Sequence, residues 1–260
     1  MSPLNAIFRL SLTVLLRSRR TMVFAVICFL PLLLAAAGAL LIMSRQGPSG
    51  LTGFSLISFI MVNFYVYVLA VVVTLFYATS LVSEEIDEKT ITYLFMRPVP
   101  KATIYVGKYL AYLVVASLLL IPSAALCFLI AMTSDPPGEA AGHLVILAKD
   151  LAVLELEILT YGSLYALLGA VFKRPVLVGL GFSIVWETLV TFIPGYLSKL
   201  TIKHYILALL PHPAGERGVL GFFESPTAPA TAVIVLLATA AGLLALGAWT
   251  FTEKEYVLEQ

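Results

Sequence analysis

Residues 54–82 read FSLISFIMVNFYVYVLAVVVTLFYATSLV, and residues 83–101 that follow read SEEIDEKTITYLFMRPVPK. The first stretch holds no Asp, Glu, Lys or Arg and exceeds the roughly 20 residues with which a helix crosses the hydrocarbon core of a bilayer. The second is dense in charge. An uninterrupted apolar run ending abruptly in a charged segment is the pattern of a helix that leaves the membrane and continues into water. The fold class follows from that junction.

Working outward, the same kind of run recurs. Apolar stretches at 22–43, 103–133, 151–172, 176–193 and 230–251 join 54–82 to predict six spans. Bulk properties agree. Sixty per cent of the residues are hydrophobic, 12% are charged and the mean hydropathy is +1.00, a balance foreign to soluble domains. The expected fold is all-α and polytopic, one transmembrane domain over residues 1–260. Pro31 and Pro122 fall inside spans, where neighbouring helices can satisfy the carbonyls a proline leaves free. Cys28 and Cys127 also lie in apolar runs and read as small buried side chains, not as a disulfide or metal pair. The first run continues past Ala35-Ala36-Ala37 to Met43, so it reads as an anchor that stays, not a cleaved secretory signal.

An even number of spans puts both termini on one side. That side carries Arg9, Arg17, Arg19, Arg20, Lys89, Arg97, Lys101, Lys108, Lys173, Arg174 and Lys254; the other carries Arg45, Lys149, Lys199, Lys203 and Arg217. Eleven basic residues against five place the termini and the charged segment in the cytoplasm of a cell (inner or plasma) membrane. Residues 2–20 differ from the spans. Leu4, Ile7, Phe8, Leu12 and Leu15 share one helical face, while Asn5, Arg9, Thr13 and Arg17 make a polar stripe. The spacing predicts an amphipathic helix lying in the cytoplasmic interface.

Within 83–97, Glu84, Glu85, Asp87 and Glu88 fill the first turns and Arg97 stands at the end. That order complements a helix dipole, and Pro98 stops the helix. Ile86, Thr90 and Leu94 lie along one face; Glu84, Glu88, Ile91 and Phe95 lie along another. Apolar anchors ringed by charge are how docking surfaces are built.

The pattern Ser83-x-Glu85-x-x-Glu88-x-Thr90-x-x-x-Leu94, then Arg97-Pro98-Val99 and Gly107-Lys108, resembles the membrane subunit of type 2 ATP-binding-cassette transporters, with their type V exporter-like fold. The resemblance extends to the layout: an amphipathic N-terminal helix, six spans, a short basic turn at Lys173-Arg174 between spans four and five, and a long outer segment at 194–229. It implies that 83–97 is a coupling helix seated on a separate ATPase subunit, with Lys173 and Arg174 adding to that contact. It also implies a second permease copy or a paralogue, a pathway formed as a dimer, and export. Lys89 departs from relatives that carry Gly before the Thr.

No phosphate-binding G-x-x-x-x-G-K-[ST] occurs, and the glycine-rich stretches 47–53 and 215–221 lack its lysine. ATP and magnesium are therefore expected on the partner subunit, with no cofactor in this chain and no ATP hydrolysis by it. Four residues are candidates for the pathway or its gate: Glu155, Glu157, Trp186 and Glu187. Carboxylates within the bilayer are costly unless paired, protonated or wetted. Glu155 and Glu157 fall in the first turns of the fourth span, or at the interface if that span starts later. Glu187 is expected to face the interior of the assembly, lining the outer part of the pathway or bonding a neighbouring helix. His204 and His212 lack a third ligand at metal-site spacing, and the basic residues show no nucleic-acid pattern. The competing class is an ion- or proton-coupled secondary transporter using the same acids, for which an internal repeat is expected and none is seen. An intramembrane enzyme would need paired catalytic groups, which the sequence lacks.

Overall fold

A computed structural model describes residues 3–44, 52–87, 99–135, 139–190, 196–212 and 227–253. Among them every regular element is helical: α1 (Pro3–Arg17), α2 (Arg19–Met43), α3 (Gly53–Ile60), α4 (Ala70–Asp87), α5 (Lys101–Met132), α6 (Glu139–Val171), α7 (Pro175–Gly181), α8 (Ile202–Leu209) and α9 (Pro229–Glu253). Two stretches of π-helix interrupt the order. Met61–Leu69 joins α3 to α4, and Phe182–Leu189 continues α7. A 3-10 turn, Tyr196–Leu200, precedes α8.

Among the described residues four helices are long and apolar enough to cross a membrane: Arg19–Met43, Gly53–Ser83, Lys101–Met132 and Pro229–Glu253. The α5 helix runs antiparallel to the second passage and to α9, and contacts between their ends show it. At one end the Asp135 carboxylate, just beyond α5, accepts the Gly53 and Phe54 amides at 2.6 and 3.0 Å and caps α3. At the other, Lys108 Nζ donates to the Leu81 carbonyl at 2.9 Å and Lys101 Nζ to that of Thr252 at 3.2 Å. The α6 helix is the central post, packed against α4, α5 and α9. Its approach to α4 depends on Gly169, where a Cβ would lie 2.5 Å from the Thr79 carbonyl oxygen. Small residues set the closeness of helices in a bilayer, because lipid offers no hydrophobic drive to press them together.

The π-helical turns in the second passage are pinned from two sides. Tyr65 Oη is 2.6 Å from Ser123 Oγ on α5, and Ser123 donates to the Cys28 carbonyl on α2. Cys28 and Cys127 are both buried. Near the opposite end, Tyr77 donates to Thr21 at 2.7 Å, and Thr21 donates to the Leu15 carbonyl at 2.5 Å, fixing the break between α1 and α2 at Ser18.

Two expectations are revised. The apolar stripe of α1 turns inward: Ile7, Leu12 and Leu15 pack on the core, and Ile7 lies where a Cβ on Gly107 would meet it at 3.1 Å. Leu10, Val14 and Leu16 are the large apolar side chains left facing out. The α5 surface offers this stripe a partner that periodicity cannot reveal. The helix of the expected fourth span, α6, begins at Glu139, well before residue 151, so Glu155 and Glu157 sit mid-helix and not in its first turns.

Candidate functional site

One cluster of buried polar residues forms where α6, the π-helical turns after α7, and α8 meet. Glu187 holds them together. Carried on Phe182–Leu189 and 2% exposed, it accepts three hydrogen bonds: from the Ile202 amide at 3.1 Å, the Lys203 amide at 3.0 Å and the Tyr161 hydroxyl at 3.0 Å. The first two amides open α8, so the carboxylate sits at a helix N-terminus whose unsatisfied N–H groups and dipole favour negative charge. Thr201 takes the next amide, that of His204, at 3.3 Å. The sequence builds a short helix here because Thr201 caps it, and Ile202, Ile206 and Leu207 give it a buried face.

Lys203 turns its ammonium back over the Tyr67 ring, 4.4 Å from the centroid. Burial lowers its pKa, and the nearby Glu187 and Glu157 oppose that shift. Glu157 lies on α6, 1% exposed, within the electrostatic reach of Lys203 and Glu187. Tyr161 and Tyr165 stack 5.8 Å apart along α6, and the Tyr165 hydroxyl is 2.5 Å from Ser183. Two acids, one lysine and a line of phenols thus share one buried neighbourhood, with π-helical turns on two of its walls. Such turns loosen the regular ladder and are frequent at functional sites.

A second polar knot lies at the end of the bundle where α3 and α6 begin. His212 Nε2 is 3.0 Å from Asp150 Oδ1, both residues being buried. Phe54 stacks on His143 at 4.6 Å and tilts toward His212 at 6.0 Å. Burial raises the Asp150 pKa while His212 pulls it back. His204, whose pKa burial lowers and Lys199 lowers further, has Nε2 2.9 Å from Thr227 Oγ1.

Of the expected pathway residues, Glu157 and Glu187 come together. Glu155 points elsewhere and accepts from Ser117 on α5 at 3.0 and 2.8 Å. Trp186 lies on the outward side, 39% exposed and stacked on Phe182, apart from the polar cluster. Lys173 and Arg174 are exposed between α6 and α7. In the charged segment, α4 carries Glu84, Glu85, Ile86 and Asp87 in its last turns. The side chains of those four residues, and all of Glu88, Thr90, Ile91, Leu94, Phe95 and Arg97, lie outside the described residues. Sequence reasoning missed Lys203, counting it as an outer-side charge, and missed Tyr161. The signal available was Thr201 as a helix start with Lys203 in the turn it opens.

A model of the ABC-2 family of transporter proteins matches residues 15–191. The chain belongs to the ABC-2 family. Among curated proteins none matches it. The matched span runs from the end of α1 through the π-helical turns that carry Glu187, so both Glu157 and Glu187 lie within the ABC-2 region and Lys203 lies beyond it. For an ABC-2 protein the apolar helices and the family agree: this is a multi-pass membrane subunit, and the family implies an ABC ATPase as partner.

Proposed function

We propose that this chain is the permease subunit of an ABC exporter. It crosses the membrane six times with both termini in the cytoplasm, and two copies, or this chain and a paralogue, enclose the pathway. The family match over residues 15–191 carries the reading. Four spans meet the length and hydropathy required. The other two are α6, whose 33 residues span about 50 Å at 1.5 Å each and which carries charge, and α7 with its π-helical turns. An acid inside a bundle helix is compatible with crossing when it finds partners, and Glu155 and Glu187 do.

The segment 83–97 is the coupling helix, and the partner ATPase holds ATP and magnesium. The α4 helix supports this by continuing past the apolar run to Asp87, into the first charged residues of the segment. Lys173 and Arg174, exposed at the same end, form the second, smaller contact. The short outer helix α8, with the rest of 194–229, caps the pathway on the far side, and Glu187 serves as its latch. The secondary-transporter alternative draws support only from the buried acids, and the sequence shows no internal repeat to accompany them.

Reversing Glu85 and Glu88 to Lys tests the coupling role. The double variant is expected to insert and fold normally, to lose most ATPase capture in pull-down, and to abolish stimulated hydrolysis. Undiminished capture would refute the assignment of 83–97.

A further inference from the structure

Glu157 and Glu187 put two carboxyl groups inside the bundle, and Lys203 is the one basic side chain among the described residues that acts on both. They are not treated alike. Glu187 is surrounded by donors: two α8 amides and the Tyr161 hydroxyl. Glu157 is 1% exposed, and its Oε2 accepts no hydrogen bond from any described residue. The ammonium that could neutralise it also answers to Glu187 and sits over the Tyr67 ring.

The other groups near Glu157 do not change this count. Tyr161 and Tyr165 on its own helix, Tyr112 on α5 and Tyr67 on the π-helical turns of the second passage are phenols, neutral at physiological pH. The Tyr112 hydroxyl is committed to the Ile158 carbonyl at 2.9 Å. The α7 sequence PVLVGLG has no ionisable side chain, α9 has only Glu253 at its end, and the acids of α4 stand at its terminus. On α8, His204 turns to Thr227. With both acids ionised the neighbourhood would hold an excess negative charge in a place where a carboxylate without donors costs several kcal/mol. A metal cation would need several oxygen ligands around it, and no group of three or more His, Cys, Asp or Glu side chains converges among the described residues. A proton needs only the free oxygen.

We propose that Glu157 is a proton-binding site in the core of the bundle, taking up one proton on Oε2 while α8 is docked on Glu187. The O–H bond forms with a proton drawn from water and is broken by returning it to water, with no change of oxidation state. The inference rests on that part of the proposed function that puts α6 inside the bilayer, and it needs no ATPase. Its consequence is that opening the outer end of the bundle, which admits water, exchanges a proton as well as moving a substrate.

Infrared difference spectroscopy of the purified full chain in lipid nanodiscs, titrated from mildly acidic to mildly alkaline pH, reads the site directly. A carbonyl stretch of a protonated carboxylic acid is expected to persist at neutral pH, to vanish in Glu157→Gln, and to remain in Glu155→Gln. If Glu157→Gln fails to fold, Glu157→Asp is expected to keep the band at a displaced frequency. Absence of the band at neutral pH, its survival in Glu157→Gln, an unmoved frequency in Glu157→Asp, or its loss when sodium replaces potassium would each overturn the proposal. None of these readings involves the partner subunit, so failure here and failure of the permease reading are separate results.

Discussion

Replacing Glu187 should release α8 from the bundle. Its carboxylate satisfies the Ile202 and Lys203 amides and the Tyr161 hydroxyl from a position that is 2% exposed. Hydrogen bonds to a charged group contribute about 1.5–3 kcal/mol each, against about 0.5–1.5 kcal/mol for neutral pairs. Glu187→Gln keeps the shape but offers one acceptor oxygen, and turns an amide NH2 toward donors that need an acceptor. The expected loss of local stability is about 2 kcal/mol. Glu187→Ala leaves the donors orphaned, at about 1–3 kcal/mol for each, and the expected loss is about 4 kcal/mol. Amide hydrogen exchange read by mass spectrometry on the peptide covering α8 measures it. A loss of about 2 kcal/mol accelerates exchange roughly 30-fold where opening is local. Protection in α5 should be unchanged, because α8 packs on α6 and α9 and makes no comparable contact with α5. Exchange at Ile202 and Lys203 as slow in Glu187→Ala as in the parent would refute the latch.

Three further outcomes are expected. Gly169→Leu should reduce the yield of folded protein and lower its melting temperature, since even its Cβ would lie 2.5 Å from the Thr79 carbonyl oxygen; the overpacking costs about 1–3 kcal/mol, while Gly242→Ala, with nothing within 4 Å, should melt as the parent does. His204 is held neutral by burial, its pKa lowered from 6.5, so the unfolded chain binds more protons below that value and stability falls as pH drops through it. The acid-side decline in melting temperature should be shallower in His204→Gln. Asp150, raised above 3.8 by burial, works in the opposite direction, its contribution being lost as pH rises through its window; Asp150→Asn should therefore steepen the decline on the acid side. Glu187→Gln in the assembled transporter should lower substrate movement per ATP hydrolysed without lowering the amount of complex, measured as the ratio of the two rates in proteoliposomes.

The apolar passages were legible because their signal is local. The runs at 22–43, 103–133 and 230–251 match α2, α5 and α9 to within a few residues, since continuous hydrocarbon in a sequence leaves few alternatives to a helix. The start of α6 was not legible. Its first turns carry Glu139, Lys149 and Asp150, and the apolar criterion begins only after them. The π-helical turns were invisible for another reason: a change from four to five residues per hydrogen-bonded step leaves no mark on composition. The candidate site divides in the same way. Glu157 and Glu187 stood out singly as acids in apolar surroundings. Their common partner Lys203 did not, because a lysine beyond a span reads as an outer-side charge until tertiary structure folds α8 back onto the bundle. The apolar stripe of α1 stood out by its spacing, yet it packs on α5, a helix distant in sequence.

The central claim is that this chain is a permease worked by a separate ATPase. The most direct measurement is ATP turnover by the purified chain in lipid nanodiscs, alone and after the native complex has been isolated from membranes through a tag on the chain. The account predicts no hydrolysis above a protein-free blank for the chain alone, and an ABC ATPase with ATP turnover in the native complex. That activity should be lost together with the ATPase when Glu85→Lys and Glu88→Lys are combined. Robust hydrolysis by the isolated chain, or a native complex free of any ATPase, would contradict it.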